Sequence, residues 1–184
     1  MGWRNTTTRW GGVTQGFHWL MAVLIFTLIP LGLIGADMAF SKTKIEVFQW
    51  HKSIGLLVLA LVVLRIAWRL FNPTPAHPAD APRYQLIGAS AVHLILYGLM
   101  VLMPLAGWVI NSAANVPFKP FGLFKLPHLV ERSEATQTLF ETIHGTMAWI
   151  LMGLLVLHIG AALHHHFVRR NDTLRRMLPG GGRP

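Results

Sequence analysis

Residues 142–168 read TIHGTMAWILMGLLVLHIGAALHHHFV, an unbroken stretch without Asp, Glu, Lys or Arg. As an α-helix this stretch would be about 40 Å long, whereas the hydrocarbon core of a bilayer is about 30 Å thick. A charged side chain at the bilayer centre costs at least about 2.5 kcal/mol, so a long uncharged run is typical of a membrane-spanning helix. The stretch therefore predicts a membrane span.

The rest of the chain repeats this pattern. Its 184 residues are 53% apolar and only 12% charged, which is about half the charged share of an ordinary soluble domain. These runs predict an all-α, integral membrane four-helix bundle that forms one domain over residues 1–184, with spans at about 14–36, 46–70, 86–110 and 142–168. The second span is less clean, because only residues 53–64 are uncharged and the arginines that follow would extend to the interface. A cleaved signal peptide is an alternative for the first span, although its apolar run exceeds a typical signal core.

The charge distribution orients the predicted bundle. The side with both termini and the loop between the second and third spans holds ten basic and two acidic residues, whereas the other side holds six basic and five acidic residues. Because basic residues concentrate on the cytoplasmic side, we predict that both termini are cytoplasmic. The net charge of +9 is thereby explained by topology, and nucleic acid is not an expected partner.

A short amphipathic segment is predicted after the fourth span, over residues 172–178. Asp172 would cap this segment, while Leu174, Met177 and Leu178 would face lipid. Its arginines would then meet lipid headgroups.

Most of the ten histidines lie inside the apolar runs. His144 and His158 are 14 residues apart, which is about 21 Å along a helix and only about 40° off a single face. They should point into the bundle at two membrane depths, with His144 near the outer surface. His51, at the outer start of the second helix, matches the depth of His144. His18, at the inner start of the first helix, matches the depth of His158.

The absence of cysteine restricts the possible cofactors. Iron–sulfur clusters, thiolate-ligated metals and covalently attached c-type haem are excluded. A haem iron takes two axial imidazoles from facing helices, so the two level pairs of histidines predict two haems stacked across the bilayer. His93 also lies at the inner depth and competes with His18 for the inner iron. A proton-coupled transporter with histidine relays is a different interpretation of the same residues.

A possible quinone site lies beside the predicted inner haem. His165 follows His158 by seven residues, so it lies on nearly the same face, about 10 Å closer to the cytoplasm. It is a candidate to deliver protons to a quinone, with His93, Arg175 and Arg176 as further candidates. An ordinary interfacial cluster is an equally simple account of the neighbouring histidines at 164 and 166.

Four motifs together resemble those of the bacterial cytochrome b561 family of small four-helix, di-haem membrane cytochromes. They are Phe17-His18-Trp19-Leu20, His51-Lys52-Ser53-Ile54-Gly55 leading to Arg65 and Arg69, His144 with His158, and Asn171-Asp172-Thr173-Leu174-Arg175-Arg176-Met177-Leu178-Pro179. The resemblance covers nearly the whole chain. It implies that His18 and His158 ligate an inner haem b and that His51 and His144 ligate an outer haem b.

The resemblance also implies candidate activities in the bacterial inner membrane. Members of the family include a superoxide oxidase that takes electrons from periplasmic superoxide and reduces ubiquinone. The same four-helix design serves as the cytochrome subunit of hydrogenases and formate dehydrogenases, which docks on a periplasmic redox partner. The short loops of this chain are more similar to those of the self-contained members.

Charged and small residues near the predicted haems complete the expectations. Lys42, Lys44 and Lys52 would form a positive funnel for superoxide on the outer face, although the glutamates of that side oppose this field. Arg65 and Arg69 would pair with the propionates of the inner haem or, alternatively, with lipid headgroups. The glycines expected to make room for the porphyrins are Gly16, Gly55, Gly145 and Gly160.

Overall fold

The computed structural model describes residues 2–76 and 82–180. Within these ranges the chain forms four long α-helices and no strand: α1 (Gly12–Asp37), α2 (Lys42–Leu70), α3 (Arg83–Ala113) and α4 (Glu134–Phe167). Each of the four is long and apolar enough to cross a membrane. The prediction of an all-α protein with four membrane-spanning helices is confirmed.

The starts of the helices follow from local sequence. Ser41 precedes α2 and Ser133 precedes α4, and each side-chain oxygen accepts a hydrogen bond from the backbone N–H three residues later, at 3.2 Å. Pro82 immediately precedes α3, at a point where helices leave backbone N–H groups unpaired in any case. Because Ser133 supplies a cap, α4 begins about two turns before the uncharged run at 142–168.

Neighbouring helices run antiparallel. At one end of the first pair an added Cβ at Gly35 of α1 would lie 3.2 Å from Val47 of α2. At the other end the indole N–H of Trp68 donates to the hydroxyl of Thr14 at 3.1 Å. The helix α2 also packs on α3, and α3 packs on α4. We call the end where α1 passes into α2 and α3 into α4 the loop end, and the end with both termini the terminal end.

Two adjoining apolar clusters occupy the middle of the bundle. The first joins α1, α3 and α4, and the second joins α1 and α2; their buried members are Ile25, Leu96, Leu99 and Leu151, and Met21, Val58 and Val62, respectively. Leu151 lies seven residues from both His144 and His158, so the first cluster separates the two histidine levels. Outside these clusters apolar side chains face outward, as with Val156, which is 74% exposed. Such a surface suits contact with lipid.

The chain after α4 is tied to α1. The side-chain amide of Gln15 donates to the carbonyl of Arg176 at 2.9 Å, and the indole N–H of Trp19 donates to the carbonyl of Met177 at 2.8 Å. A guanidinium nitrogen of Arg176 donates to the carbonyl of Ala76 at 3.0 Å. The C-terminal segment therefore closes the terminal end by contacts with distant parts of the chain.

Within the predicted amphipathic segment 172–178 the structure has a single 3₁₀ turn, Arg175–Met177. The prediction that Asp172 caps this segment is wrong. Its carboxylate instead accepts a hydrogen bond from Nε of Arg176 at 2.7 Å. The charged guanidinium is a stronger partner for a carboxylate than a backbone N–H.

The middle layer generates a stability prediction. We expect Leu151→Ala to destabilise the bundle by about 2–4 kcal/mol, because it removes a buried side chain and leaves a cavity between the two histidine levels. The measurement is thermal unfolding in detergent. Leu157→Ala is the matched control, because it is the same substitution on the same helix at a side chain that is 56% exposed. Equal losses in the two variants would contradict this account of the core.

Candidate functional site

The bundle brings four histidines into two pairs. At the loop end the ring centres of His51 and His144 are 6.2 Å apart, and at the terminal end those of His18 and His158 are 6.1 Å apart. The helix α4 supplies one member of each pair, and α2 and α1 supply the other members. The depths expected from the sequence therefore correspond to real proximity between helices.

Hydrogen bonds orient both imidazoles at the loop end. Nδ1 of His51 lies 3.1 Å from the carbonyl oxygen of Leu28, and Nδ1 of His144 lies 3.1 Å from the carbonyl oxygen of Met103. Because a carbonyl oxygen only accepts, Nδ1 of each ring carries the proton and donates it. Nε2 of each ring is then the nitrogen with a free lone pair. Metal-ligating histidines have this arrangement, in which the second ring nitrogen is held by an acceptor.

Two glycines that the sequence analysis did not single out lie against these rings. An added Cβ at Gly32 of α1 would be 3.0 Å from Cε1 of His51, and an added Cβ at Gly107 of α3 would be 3.7 Å from Cε1 of His144. Each glycine follows by four residues the carbonyl that accepts from the ring. In both helices a proline precedes the glycine by two or three residues, and this shared pattern could have identified the two glycines from the sequence.

The four glycines that the sequence predicts to make room for porphyrins have open space around them. An added Cβ at Gly16, Gly55, Gly145 or Gly160 would meet no atom within 4 Å. Gly55 is half-buried and lies one turn from His51, about 40° around the helix. There is therefore room beside both histidine pairs.

The histidine pairs fit the axial positions of a haem iron. A metal–nitrogen bond of about 2 Å and a further ~1 Å to the ring centre place two axial imidazole centres about 6 Å apart, as in both pairs. Within residues 2–76 and 82–180, no three His, Asp or Glu side chains are arranged to hold a bare metal ion. Neutral nitrogen donors in pairs, with open space beside both pairs, suit a haem.

His93 belongs to the terminal-end group. Its ring centre lies 5.3 Å from that of His158, closer than the 6.1 Å that separates His158 from His18. The competition between His93 and His18 that the sequence left open is therefore also present in three dimensions. The His18 spacing matches that of the loop-end pair more closely.

Arg65 lies beside the terminal-end pair. One of its guanidinium nitrogens is 3.5 Å from Nδ1 of His18, and the guanidinium lies over the ring of Tyr97 at 5.4 Å. Arg69 lies over the same ring, 5.8 Å from its centre. Nε of Arg65 is buried without a hydrogen-bond partner. A buried donor on a cation is a site for an anionic oxygen such as a carboxylate.

The three lysines of the predicted funnel have different environments. Nζ of Lys52 donates to the side-chain oxygen of Asn111 at 3.0 Å and lies 5.1 Å from the ring centre of the buried Phe118. Lys44 donates to the carbonyl of Met38 at 2.7 Å. Lys42 lies on the exposed surface, 3.8 Å from the carboxylate of Glu46. Only Lys52 is both half-buried and adjacent to a histidine of the loop-end pair.

The connection at 114–133 covers part of the loop end. The backbone N–H of Phe121 donates to the hydroxyl of the buried Ser53 at 3.0 Å, and the Phe121 ring lies 6.1 Å from that of Trp50. Phe121 has a φ of +50°, which is unfavourable for a bulky residue. The hydrogen bond to Ser53 and the ring contact hold this conformation beside His51 and Lys52.

At the terminal end the candidates for a quinone site are dispersed. The side-chain amide of Asn171 donates to Nδ1 of His165 at 2.9 Å, so Nε2 of His165 carries the ring proton. Arg175 is exposed. Arg176 is held by Asp172 and by the carbonyl of Ala76.

Comparisons with known proteins identify the family of this chain. The family model described as prokaryotic cytochrome b561 matches residues 9–180. Cytochrome b561 homolog 2 of Escherichia coli (strain K12) is 34% identical over 180 residues, which are 97% of this chain and 95% of the relative. Cytochrome b561 homolog 1 of the same organism is 28% identical over 88% of this chain and 92% of its own length. The probable superoxide oxidase CybB of Yersinia pestis is 28% identical over 89% of this chain and 92% of its own length.

The contact between Ser53 and Phe121 generates a local prediction. We expect Ser53→Ala to leave the N–H of Phe121 without its partner, at a cost of about 1–3 kcal/mol, and to release the connection from α2. Trypsin should then cleave faster after Lys125, whose next residue is Leu126. Ser90→Ala, at an exposed position on α3, is the matched control. Unchanged cleavage in Ser53→Ala would mean that the connection does not depend on this bond.

Proposed function

Because the chain belongs to the prokaryotic cytochrome b561 family, whose members bind haem b and transfer electrons in membranes, we propose that it is a di-haem cytochrome of the bacterial inner membrane that oxidises periplasmic superoxide and reduces ubiquinone. The observation that carries this proposal is the presence of two imidazole pairs at two levels of the bundle, each with one member on α4. The name of the Yersinia pestis relative supports the choice of superoxide as the donor.

The proposed ligands are His51 with His144 at the loop end and His18 with His158 at the terminal end. When bound, each haem b would supply a one-electron redox couple. The carbonyls of Leu28 and Met103 each accept the Nδ1 proton of one loop-end ring, which leaves Nε2 of that ring free to bind iron. Arg65, with its unpartnered Nε, is the proposed partner of a propionate at the terminal end, assisted by Arg69.

The proposed superoxide site lies at the loop end, which the charge distribution predicts to be periplasmic. Lys52 supplies the nearest positive charge to His51, and Asn111 holds its ammonium group in place. Lys44 and Lys42 add to the local field, Lys42 least because Glu46 lies close to it. A fixed cation beside the electron-accepting centre raises the encounter rate of a small anion.

The proposed quinone site lies at the terminal end. His165 carries a proton on Nε2 and is the proposed proton donor. His93 lies next to His158, Arg175 is exposed, and Arg176 is paired with Asp172. In the overall reaction two superoxide anions lose one electron each to become O₂, and ubiquinone takes up these two electrons and two protons to become ubiquinol.

The haem proposal is tested by counting haems in detergent-purified variants. We expect two low-spin b haems per chain in the parent protein. His51→Ala and His144→Ala should each lose one haem, and the double variant should lose no more than either single variant, because both residues ligate one iron. His18→Ala and His158→Ala should lose the other haem. The measurement is the reduced-minus-oxidised spectrum with the haem-to-protein ratio.

His93→Ala and the loop variant His128→Ala are the controls for the four ligand variants. Both should retain two haems. If His93→Ala loses a haem while His18→Ala retains both, the terminal-end ligand is His93 instead of His18. A colourless parent protein from haem-replete cells would overturn the proposal and favour a proton-coupled transporter.

The superoxide proposal is tested by stopped-flow reduction with generated superoxide. We expect Lys52→Gln to slow reduction a few-fold and to flatten its dependence on ionic strength, because the attraction of an anion by a positive field is screened by salt. Substituting Lys42 and Lys44 as well should deepen both effects. Arg132→Gln, an exposed charge on the same predicted side, is the control. A parent protein that is not reduced by superoxide but co-purifies with a hydrogenase or dehydrogenase would instead be an electron-transfer subunit.

A further inference from the structure

We propose that Gly32 is a positioning residue that keeps the reduction potential of the loop-end haem below that of the terminal-end haem. The absence of a side chain at Gly32 lets the His51 ring approach α1 closely enough to donate to the carbonyl of Leu28. This inference rests on the haem ligands of the proposed function. It adds that the two haems differ in reduction potential, and that Gly32 maintains this difference.

The first step of the argument is steric. An added Cβ at Gly32 would lie 3.0 Å from Cε1 and 3.4 Å from Nδ1 of His51, so the ring would have to move away. At Gly107 the corresponding distances to His144 are 3.7 and 3.9 Å, which are ordinary van der Waals contacts. A side chain at residue 32 would therefore displace the ring by a few tenths of an ångström, whereas a side chain at residue 107 would fit.

The second step is the chemistry of the hydrogen bond. A ring that donates from Nδ1 to a carbonyl becomes a more basic ligand through Nε2. A more basic axial ligand stabilises Fe(III) relative to Fe(II) and therefore lowers the reduction potential, which is one of the means by which a protein tunes a haem. Both loop-end rings donate in this way, at 3.1 Å.

The third step is the contrast with the terminal end. Nδ1 of His18 faces a guanidinium nitrogen of Arg65 at 3.5 Å. A guanidinium cannot accept a hydrogen bond, and its positive charge favours the reduced, less positive state of a nearby redox centre. The hydrogen bonds and the charge of Arg65 therefore bias the two potentials in opposite directions, and the charge of Lys52 near His51 offsets part of this difference. With this order of potentials, electrons that enter at the loop end would move downhill toward the terminal end.

The test is a redox titration of the purified holoprotein, followed by the absorbance of the two haems. His51→Ala, which should retain only the terminal-end haem, identifies the signal of each. We expect the loop-end haem to have the lower potential in the parent protein. Gly32→Ala should shift that potential upward and leave the other unchanged, and Gly107→Ala should produce a clearly smaller shift.

A second variant covers the case in which Gly32→Ala does not bind haem. Replacing Ile29 by its α-hydroxy acid turns the Leu28 carbonyl into an ester, a weaker acceptor, without adding an atom near the ring. It should also raise the loop-end potential, whereas the same replacement at Leu33 should not.

The outcomes separate this inference from the proposed function. If His51→Ala retains both haems, the ligand assignment fails, and with it the proposed function in this form. If the haems are assigned as expected but the loop-end haem has the higher potential, the inference is overturned. It is also overturned if both glycine variants give equal shifts or if the ester at residue 29 gives none.

Discussion

The two imidazoles of α4 are separated by 14 residues, and the polar interior of the bundle is arranged around them. A helix returns to nearly the same face after this interval, so His144 and His158 point into the bundle at two depths about 21 Å apart. Each then needs a partner on another helix at its own level, and antiparallel packing places His51 and His18 there. The apolar layer around Leu151 fills the space between the levels.

Polar groups inside a membrane protein require partners, because lipid supplies none. At the loop end the partners are provided by the protein: carbonyls for the two imidazoles and Asn111 for the ammonium of Lys52. At the terminal end Arg65 keeps a buried Nε without a partner. This difference distinguishes a level whose imidazoles are held by the backbone from a level that offers a cation to an anionic group.

The segments outside the helices close the two ends by different means. At the loop end Phe121 adopts an unfavourable left-handed conformation and is held there by Ser53. At the terminal end Gln15 and Trp19 bind the backbone of the C-terminal segment. Neither contact follows from local sequence preference. Both depend on residues far apart in the chain that meet only after the helices have packed.

The sequence by itself determined the four spans and the shared face of His144 and His158, because uncharged length and helical period are local properties. The loop-end and terminal-end histidine pairs also follow from depth along each helix. Only the tertiary structure decided that Gly32 and Gly107 contact the rings, that Asn111 binds Lys52 while Glu46 lies beside Lys42, and that His93 lies next to His158. These contacts depend on the rotation and register of one helix against another. That register is set by the packing of side chains from several helices at once, which no single stretch of sequence contains.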